Sequence, residues 1–349
     1  MTTLFVAAAE PSGDALGAAI VPVLRERCPG LVVVGMAGPR MRAAGVEAVA
    51  RVEDAVGFGL AEVVRQVPRS LRLVETLARA VERSRADLVL TIDAPSLLLR
   101  LGRRVRGPER PVVHWVSPQI WAWRRGRSAT IGRSADAVLC LLPFEPPLYT
   151  GRVRAVFVGH PAAAIRPMPV PLPGRPTVAL CPGSRPREIA TLWPVFKEVA
   201  RRLRARWPDA GFVVPRAPGV VLGGLDARYV DGMAAVAGAD VALVASGTAT
   251  LELAALDVPM VVAYRVHPWT AAVARQVLTI PDIALPNVLA GRRIVPEHVQ
   301  ELDPDAMAED LARLVGVRGQ VPRALVDSLA GEEAIERAAD EVLGWLGTA

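Results

Sequence analysis

The chain has 349 residues, of which 52% are hydrophobic, 22% charged and 5% aromatic, and its formal net charge is +6. That length exceeds the roughly 250–300 residues at which single cores stop growing, so two domains are expected, and the apolar content excludes a disordered chain. Arginine carries nearly all the positive charge, with Lys197 the one lysine; this suits anionic partners such as phosphates, nucleotides or acidic lipid headgroups, though base bias in a genome gives the same excess.

The aromatics are too few, and zinc-finger or RNP-like spacing is lacking, for nucleic acid to be an expected partner. Cys28, Cys140 and Cys181 are an odd, widely spaced set without a CxxC, so neither a disulfide framework nor a zinc site is indicated. Leu4 to Ala9 follows no basic segment and is cut by Glu10, unlike a signal peptide, and no run approaches the ~18 apolar residues of a membrane span. A cytoplasmic protein, peripheral to a membrane at most, is expected.

In chain order, Leu4–Ala8, Leu31–Gly35, Leu88–Ile92, Val112–Val116 and Ala137–Leu141 are short apolar runs separated by helical patterns, as buried parallel strands require. Residues 1–165 form the first expected domain. The proline-rich stretch 166–175 excludes a regular helix or central strand and is the expected linker. Thr177–Leu180, Gly211–Pro215, Val241–Ala245 and Met260–Ala263 repeat the alternation, giving a second domain over 176–330 and a helical tail over 331–349 that packs across domains or subunits. The fold class is therefore α/β, with two Rossmann-like doubly wound domains.

Ligands of such sheets sit beyond the carboxyl ends of the strands. In the second half, Pro182-Gly183-Ser184-Arg185-Pro186-Arg187-Glu188 ends a strand in a glycine turn and opens a helix. Arg185 there either pairs with a pyrophosphate through its guanidinium fork or is a solvated arginine beside a capping turn. Ser246-Gly247-Thr248 likewise follows a strand and opens a helix, whose first amides and dipole favour phosphate. Glu252, one turn in, reads both as a ribose contact and as a first-turn glutamate that complements the dipole. Neither loop is a Walker A or a GxGxxG, which removes the main support for a P-loop NTPase or a dehydrogenase.

In the first half, Glu10-Pro11-Ser12-Gly13-Asp14 follows the first strand. Glu10 and Asp14 are candidates to position acceptor hydroxyls, while Asp14 reads equally as a helix N-cap. Asp93 closes the strand Leu88–Ile92, where a carboxylate can act as general base on an attacking hydroxyl.

Several unusual strings occur in order: Ala9-Glu10-Pro11-Ser12-Gly13-Asp14, Gly38-Pro39-Arg40-Met41, Ile92-Asp93-Ala94-Pro95, His114 to Arg124 (HWVSPQIWAWR), Leu142-Pro143-Phe144-Glu145, Val158-Gly159-His160-Pro161, Pro182 to Arg185, Ser246 to Glu252 (SGTATLE), Pro259 to Arg265 (PMVVAYR) and Leu285 to Arg292 (LPNVLAGR). Together they resemble the lipid-A-disaccharide synthase family over nearly the whole chain. The resemblance implies the two-Rossmann GT-B glycosyltransferase architecture with its two domains facing a cleft. It implies no metal or other cofactor, and inversion at the anomeric carbon as UDP-2,3-diacylglucosamine is joined to 2,3-diacylglucosamine 1-phosphate. By the same resemblance Asp93 matches the general base, and Arg185 and Asn287 match residues of donor handling and catalysis. Gly183, Ser184, Glu188, Ser246, Gly247, Thr248, Glu252, Tyr264 and Arg265 fall to the UDP-sugar, and Glu10, Ser12, Gly13, Asp14, Ser117, Trp121, Trp123 and Arg124 to the acceptor.

Acylated substrates imply a peripheral place on the cytoplasmic face of the inner membrane, for a monomer or homodimer. The stretch from Gly57 to Leu77 mixes valines and leucines with Arg65, Arg69 and Arg72 and fits either a basic membrane-surface element or core-packing helices. Trp121 and Trp123 likewise fit an acyl site or the core.

The chain departs from the family at Ser96-Leu97-Leu98, where Asp-Phe-Asn is usual, at Phe58 and Ala9, and in a short 215–229 segment that bears on the nucleobase wall. The first departure leaves one alternative open, a related glycosyltransferase with another lipid acceptor; the two-Rossmann plan leaves a second, a UDP-GlcNAc epimerase-like isomerase that shares it.

Overall fold

The computed structural model describes residues 2–54, 63–122, 126, 128–168, 170–216, 220, 222–266 and 280–347, the side chains of 54 and 63–68 aside. The chain divides into two compact units, Met1–Gly159 with Glu333–Ala349, and His160–Glu332.

The first unit holds a seven-stranded parallel sheet of β1 (Thr3–Ala8), β2 (Val32–Ala37), β3 (Glu47–Arg51), β4 (Leu88–Ile92), β5 (Val112–Trp115), β6 (Ala137–Cys140) and β7 (Arg154–Phe157), in the order β3-β2-β1-β4-β5-β6-β7. The second holds β8 (Thr177–Cys181), β9 (Gly211–Arg216), β10 (Arg228–Asp231), β11 (Val241–Ala245), β12 (Met260–Tyr264) and β13 (Glu297–Val299), in the order β10-β9-β8-β11-β12-β13. All pairings are parallel. In both sheets the strand order reverses once, between β1 and β4 and between β8 and β11, and these are the switch points where ligands of doubly wound sheets bind.

The apolar runs expected as strands are β1, β2, β4, β5, β6, β8, β9, β11 and β12, every one an interior strand. The strands outside that expectation, β3, β7, β10 and β13, are the sheet edges. Their side chains are largely exposed or half-buried, so they carry no continuous apolar run, whereas interior parallel strands are covered on both faces.

Each sheet is sandwiched. On one face of the first, α1 (Pro11–Arg27) and the closing helix Ala334–Leu346 cover Leu4, Val6, Leu90 and Trp115; on the other, α3 (Val63–Ser84) and α4 (Pro95–Val105) cover Phe5, Val89 and Val112. Each such buried side chain contributes about 1.5–3 kcal/mol. In the second unit α6 (Pro186–Arg206) and the helix Pro304–Leu314 cover one face, and α7 (Ala249–Ala255) lies on the other. Proline stands in the first turn of α1, α4, α6 and the short helix α2 (Pro39–Ala43). There its missing N–H costs nothing and its fixed φ starts the helix sharply off the strand end.

The proline-rich stretch expected as a linker belongs to the second unit. The units divide at Gly159 and His160, and the described residues of 166–175 lie along the second sheet's helical layer. Met168 N donates to Ala234 O (3.0 Å), Thr177 Oγ1 to Pro173 O (2.9 Å), and Val170 and Leu172 pack on that core. The tail returns to the first unit of its own chain. Ala338, Ala339, Val342 and Leu343 join the first core, and Arg27 pairs with Asp340 (2.5 Å) and Glu336, and Arg154 with Glu341 (2.8 Å). Among the described residues no helix is long and apolar enough to cross a membrane.

Candidate active site

At the β1/β4 switch point the chain turns sharply after β4. Asp93 and Ala94 both take left-handed backbone, with φ of 59° and 44°, which costs non-glycine residues roughly 1–2 kcal/mol each. Strain of this kind persists where the surroundings fix it. Here Asp93 N donates to Trp115 O (2.9 Å), Asp93 Oδ1 accepts from Ala94 N (2.8 Å), and Asp93 Oδ2 accepts from Ser12 Oγ (2.8 Å). A carboxylate has about four lone-pair sites. Two are in use, so this half-buried side chain keeps capacity for a hydroxyl.

The rest of the Glu10-to-Asp14 string builds the scaffold for that contact. Glu10 is the residue before α1. A side chain at Gly13 would come within 2.9 Å of Ile92 O, so glycine lets α1 approach the end of β4. Asp14 was expected either to touch acceptor or to cap α1, and the residue at the α1 cap is Glu10 instead. Asp14 is buried (3% exposed), and its carboxylate accepts from Arg40 N and Met41 N, both at 3.0 Å, capping α2. A Cβ at Gly38 would lie 2.4 Å from that carboxylate. The Glu10-to-Asp14, Gly38-to-Met41 and Ile92-to-Pro95 strings are thus one interlocked corner.

Of Ser96-Leu97-Leu98, only Ser96 is exposed; Leu97 and Leu98 are buried on α4 against the sheet. Beneath Asp93, His114 Nδ1 lies 2.8 Å from Thr91 Oγ1, and its Nε2 is buried without a partner. Burial pulls His114 down to about 4, against the charge of Asp93.

After β5, Val116 takes φ 77°, strained for a β-branched residue. The Ser117 hydroxyl shares a 2.8 Å bond with the Tyr149 hydroxyl. Trp121 takes the core reading. It is buried, its Nε1 donates to Glu145 Oε1 (3.2 Å), and its ring meets Phe144 edge-on with centroids 5.7 Å apart. Glu145 Oε2 accepts from Leu141 N (3.1 Å) and Leu142 N (3.0 Å), and burial pushes its carboxyl up to about 7. Sequence reasoning left Glu145 and Tyr149 without a role, although the Leu-Pro-Phe-Glu string marks one of them. Trp123 and Arg124, with Arg125, Arg127 and residues 55–62, lie outside the described residues.

At the β8/β11 switch point Gly183 has φ 98°, and a Cβ there would sit 2.7 Å from Glu188 Oε2. Ser184 follows in the same turn. Arg185 Nη1 donates to Glu188 Oε1 (3.2 Å). Burial and the Glu188 charge raise the Tyr264 phenol while Arg185 lowers it, so these three residues share one electrostatic neighbourhood. Glu252 is raised by burial. Ser246 Oγ donates to Ile283 O (3.1 Å), and Thr250 Oγ1 to Gly247 O (2.7 Å), setting Gly247 and Thr248 at the head of α7. Arg265 Nε donates to Gln300 O (2.8 Å), whose own side chain brackets Val266 N and O. The described part of the short 215–229 segment closes over α6, where Trp193 Nε1 donates to Gly223 O (2.9 Å). Asn287 is buried (1% exposed) with its amide bonded internally to Ile294 N, Val295 N, Val295 O and Glu297. Among the described residues no group of three His, Cys, Asp or Glu is placed to hold a metal.

Two Rossmann-like units, each gathering polar side chains at the carboxyl ends of its switch-point strands, are the plan of the GT-B architecture. The glycosyltransferase of kitacinnamycin aligns with TM-score 0.67 at 17% identity, covering 99% of this chain and 98% of its own. UDP-GlcNAc 2-epimerase from Neisseria meningitidis aligns at 0.60 and 11%, covering 100% of each; at these identities the shared property is the fold.

A family model described as lipid-A-disaccharide synthetase matches residues 4–324. The lipid-A-disaccharide synthase of Anaeromyxobacter dehalogenans (strain 2CP-C) is 43% identical over 370 residues, covering 98% of this chain and 97% of the relative. That of Myxococcus xanthus (strain DK1622) is 39% identical over 373 residues with the same coverage. The chain belongs to the lipid-A-disaccharide synthase family and is a hexosyltransferase of lipid A biosynthesis.

Proposed function

We propose that the protein transfers the sugar of UDP-2,3-diacylglucosamine to the 6-hydroxyl of 2,3-diacylglucosamine 1-phosphate, releasing UDP and a β-1,6-linked disaccharide 1-phosphate with inversion. The observation that carries this reading is Asp93, held at the β1/β4 switch point by Ser12 and Ala94 with acceptor capacity to spare. Asp93 takes the hydroxyl proton as that oxygen bonds to the anomeric carbon, and the bond from that carbon to the UDP oxygen breaks. Arg185 and the amides at the head of α7 face the charge that develops on UDP. Glu188 holds the Arg185 side chain, and Glu252 receives ribose hydroxyls. Glu10, Ser117, Trp123 and Arg124 are read, from the resemblance, as acceptor contacts.

The reaction is read as needing no metal and as taking place at the cytoplasmic face of the inner membrane, where both acylated substrates reside; the chain acts as monomer or homodimer. Incubating the protein with both substrates and EDTA should give UDP and one β-linked disaccharide, assigned by NMR. No UDP release, or an α-linked product, contradicts the reading. A second acceptor reading rests on Ser96 alone, because Leu97 and Leu98 are core. Faster turnover with an acceptor other than the 1-phosphate would favour it.

A further inference from the structure

We infer that Glu297 is the positioning residue of the donor subsite and that Asn287 acts through it instead of touching substrate; this rests on reading Ser246 to Thr248 as the donor loop. A carboxamide has two N–H donors and one oxygen with two lone pairs. In Asn287 all are spent: Nδ2 donates to Val295 O (2.9 Å) and Glu297 Oε1 (2.7 Å), and Oδ1 accepts from Ile294 N (2.7 Å) and Val295 N (2.8 Å). A substrate contact has to displace one of these from a buried side chain, which costs the desolvation of the group left behind.

Glu297 collects the other ends. Its Oε1 also accepts from Ala284 N (2.8 Å) and its Oε2 from Ile283 N (3.0 Å). Three donors converge on two oxygens, an arrangement that a carboxylate satisfies and a carboxamide does not. Ile283 O in turn accepts from Ser246 Oγ (3.1 Å), and Ser246 N donates to Ala263 O (3.2 Å). The bonds therefore run without a break from β13 through Glu297 and the peptide of Ile283 to the loop after β11. Asp282, paired with Arg293 at 2.7 Å, closes the same segment a second time. The edge strand β13 holds the register of the phosphate loop, and a misplacement of about 1 Å there is enough to cost roughly 10²-fold.

The test uses the full chain, with UDP affinity measured by calorimetry, turnover with both substrates, and melting temperature. Glu297→Gln should weaken UDP binding about tenfold and leave the acceptor KM unchanged. Asn287→Asp sets two carboxylates against each other in place of the bond and should weaken UDP binding more. Adding Glu297→Gln to Asn287→Asp should restore UDP affinity about tenfold over Asn287→Asp alone, because contacting groups couple. Multiplying losses in the double variant would mean that Asn287 meets substrate directly and would overturn the inference. So would a Glu297→Gln protein whose melting point falls while its UDP affinity stays put. A wild type that binds no UDP removes the donor reading itself, a different outcome from either.

Discussion

Asp93 and Asn287 both occur in strings that mark the family, yet the two units treat them in opposite ways. Asp93 sits on a strained turn, half-buried, with two partners and room for a third. Asn287 is buried and saturated. Asp14, in the first unit, resembles Asn287 more than Asp93 in being buried, with its carboxylate turned to the backbone of α2. A family signature therefore marks two kinds of residue, those presented to a ligand and those that hold the presenting loop, and only the partners of each side chain tell them apart.

The largest effect expected on that contrast is at Asp93. Asp93→Asn should lower turnover about 10²–10⁴-fold, the usual share of a general base, with UDP affinity unchanged. Near-normal turnover would remove the distinction from its presented side.

Acid probes both units through their buried histidines. Burial holds His114 and His160 at about 4 in the folded protein, against 6.5 when exposed. The unfolded chain takes up these protons first, so the stability each contributes is complete above pH 6.5 and is lost as the pH falls toward 4, roughly 3 kcal/mol per histidine. The stability gap between wild type and His160→Gln in urea should shrink by about that amount between pH 7 and pH 4; a constant gap would contradict it. Glu145 runs the other way. Its carboxyl is raised by burial from 4.5 to about 7, so its contribution is present below pH 4.5 and is lost as the pH rises through 7.

Smaller effects sharpen the scaffold side. Asp14→Ala should cost about 0.5–2 kcal/mol of stability, the range for losing a helix cap, while each folded molecule keeps most of its turnover. A loss of turnover as large as that of Asp93→Asn would return Asp14 to the acceptor. Ser12→Ala removes one hydrogen bond to Asp93 and should slow turnover several-fold, roughly 1 kcal/mol, without a change in melting point.

The sequence makes the interior of both sheets legible because strands covered on two faces must be apolar throughout, as Leu4–Ala8 and Val241–Ala245 are. It hides the edges for the same reason: Glu47–Arg51 and Glu297–Val299 owe their strand state to one neighbour and not to their own pattern. The proline run at 166–175 looks like a linker because prolines break regular structure, but a segment without regular structure can still pack, as Val170 and Leu172 do. At the site, Asp93 is legible as a polar residue at a strand end, whereas the hydrogen bond that Ser12 donates to it is not. The inward turn of Asn287 is not, since it depends on Glu297 across a loop, and Trp121 turns inward for Glu145 in the same way.

The most direct measurement is UDP affinity beside turnover for Asp93→Asn and Asn287→Asp in the 349-residue chain. Asp93→Asn should lose turnover and keep UDP, while Asn287→Asp should lose UDP affinity first. An Asn287→Asp protein that binds UDP like wild type but no longer turns over would place Asn287 among the presented residues and contradict the account.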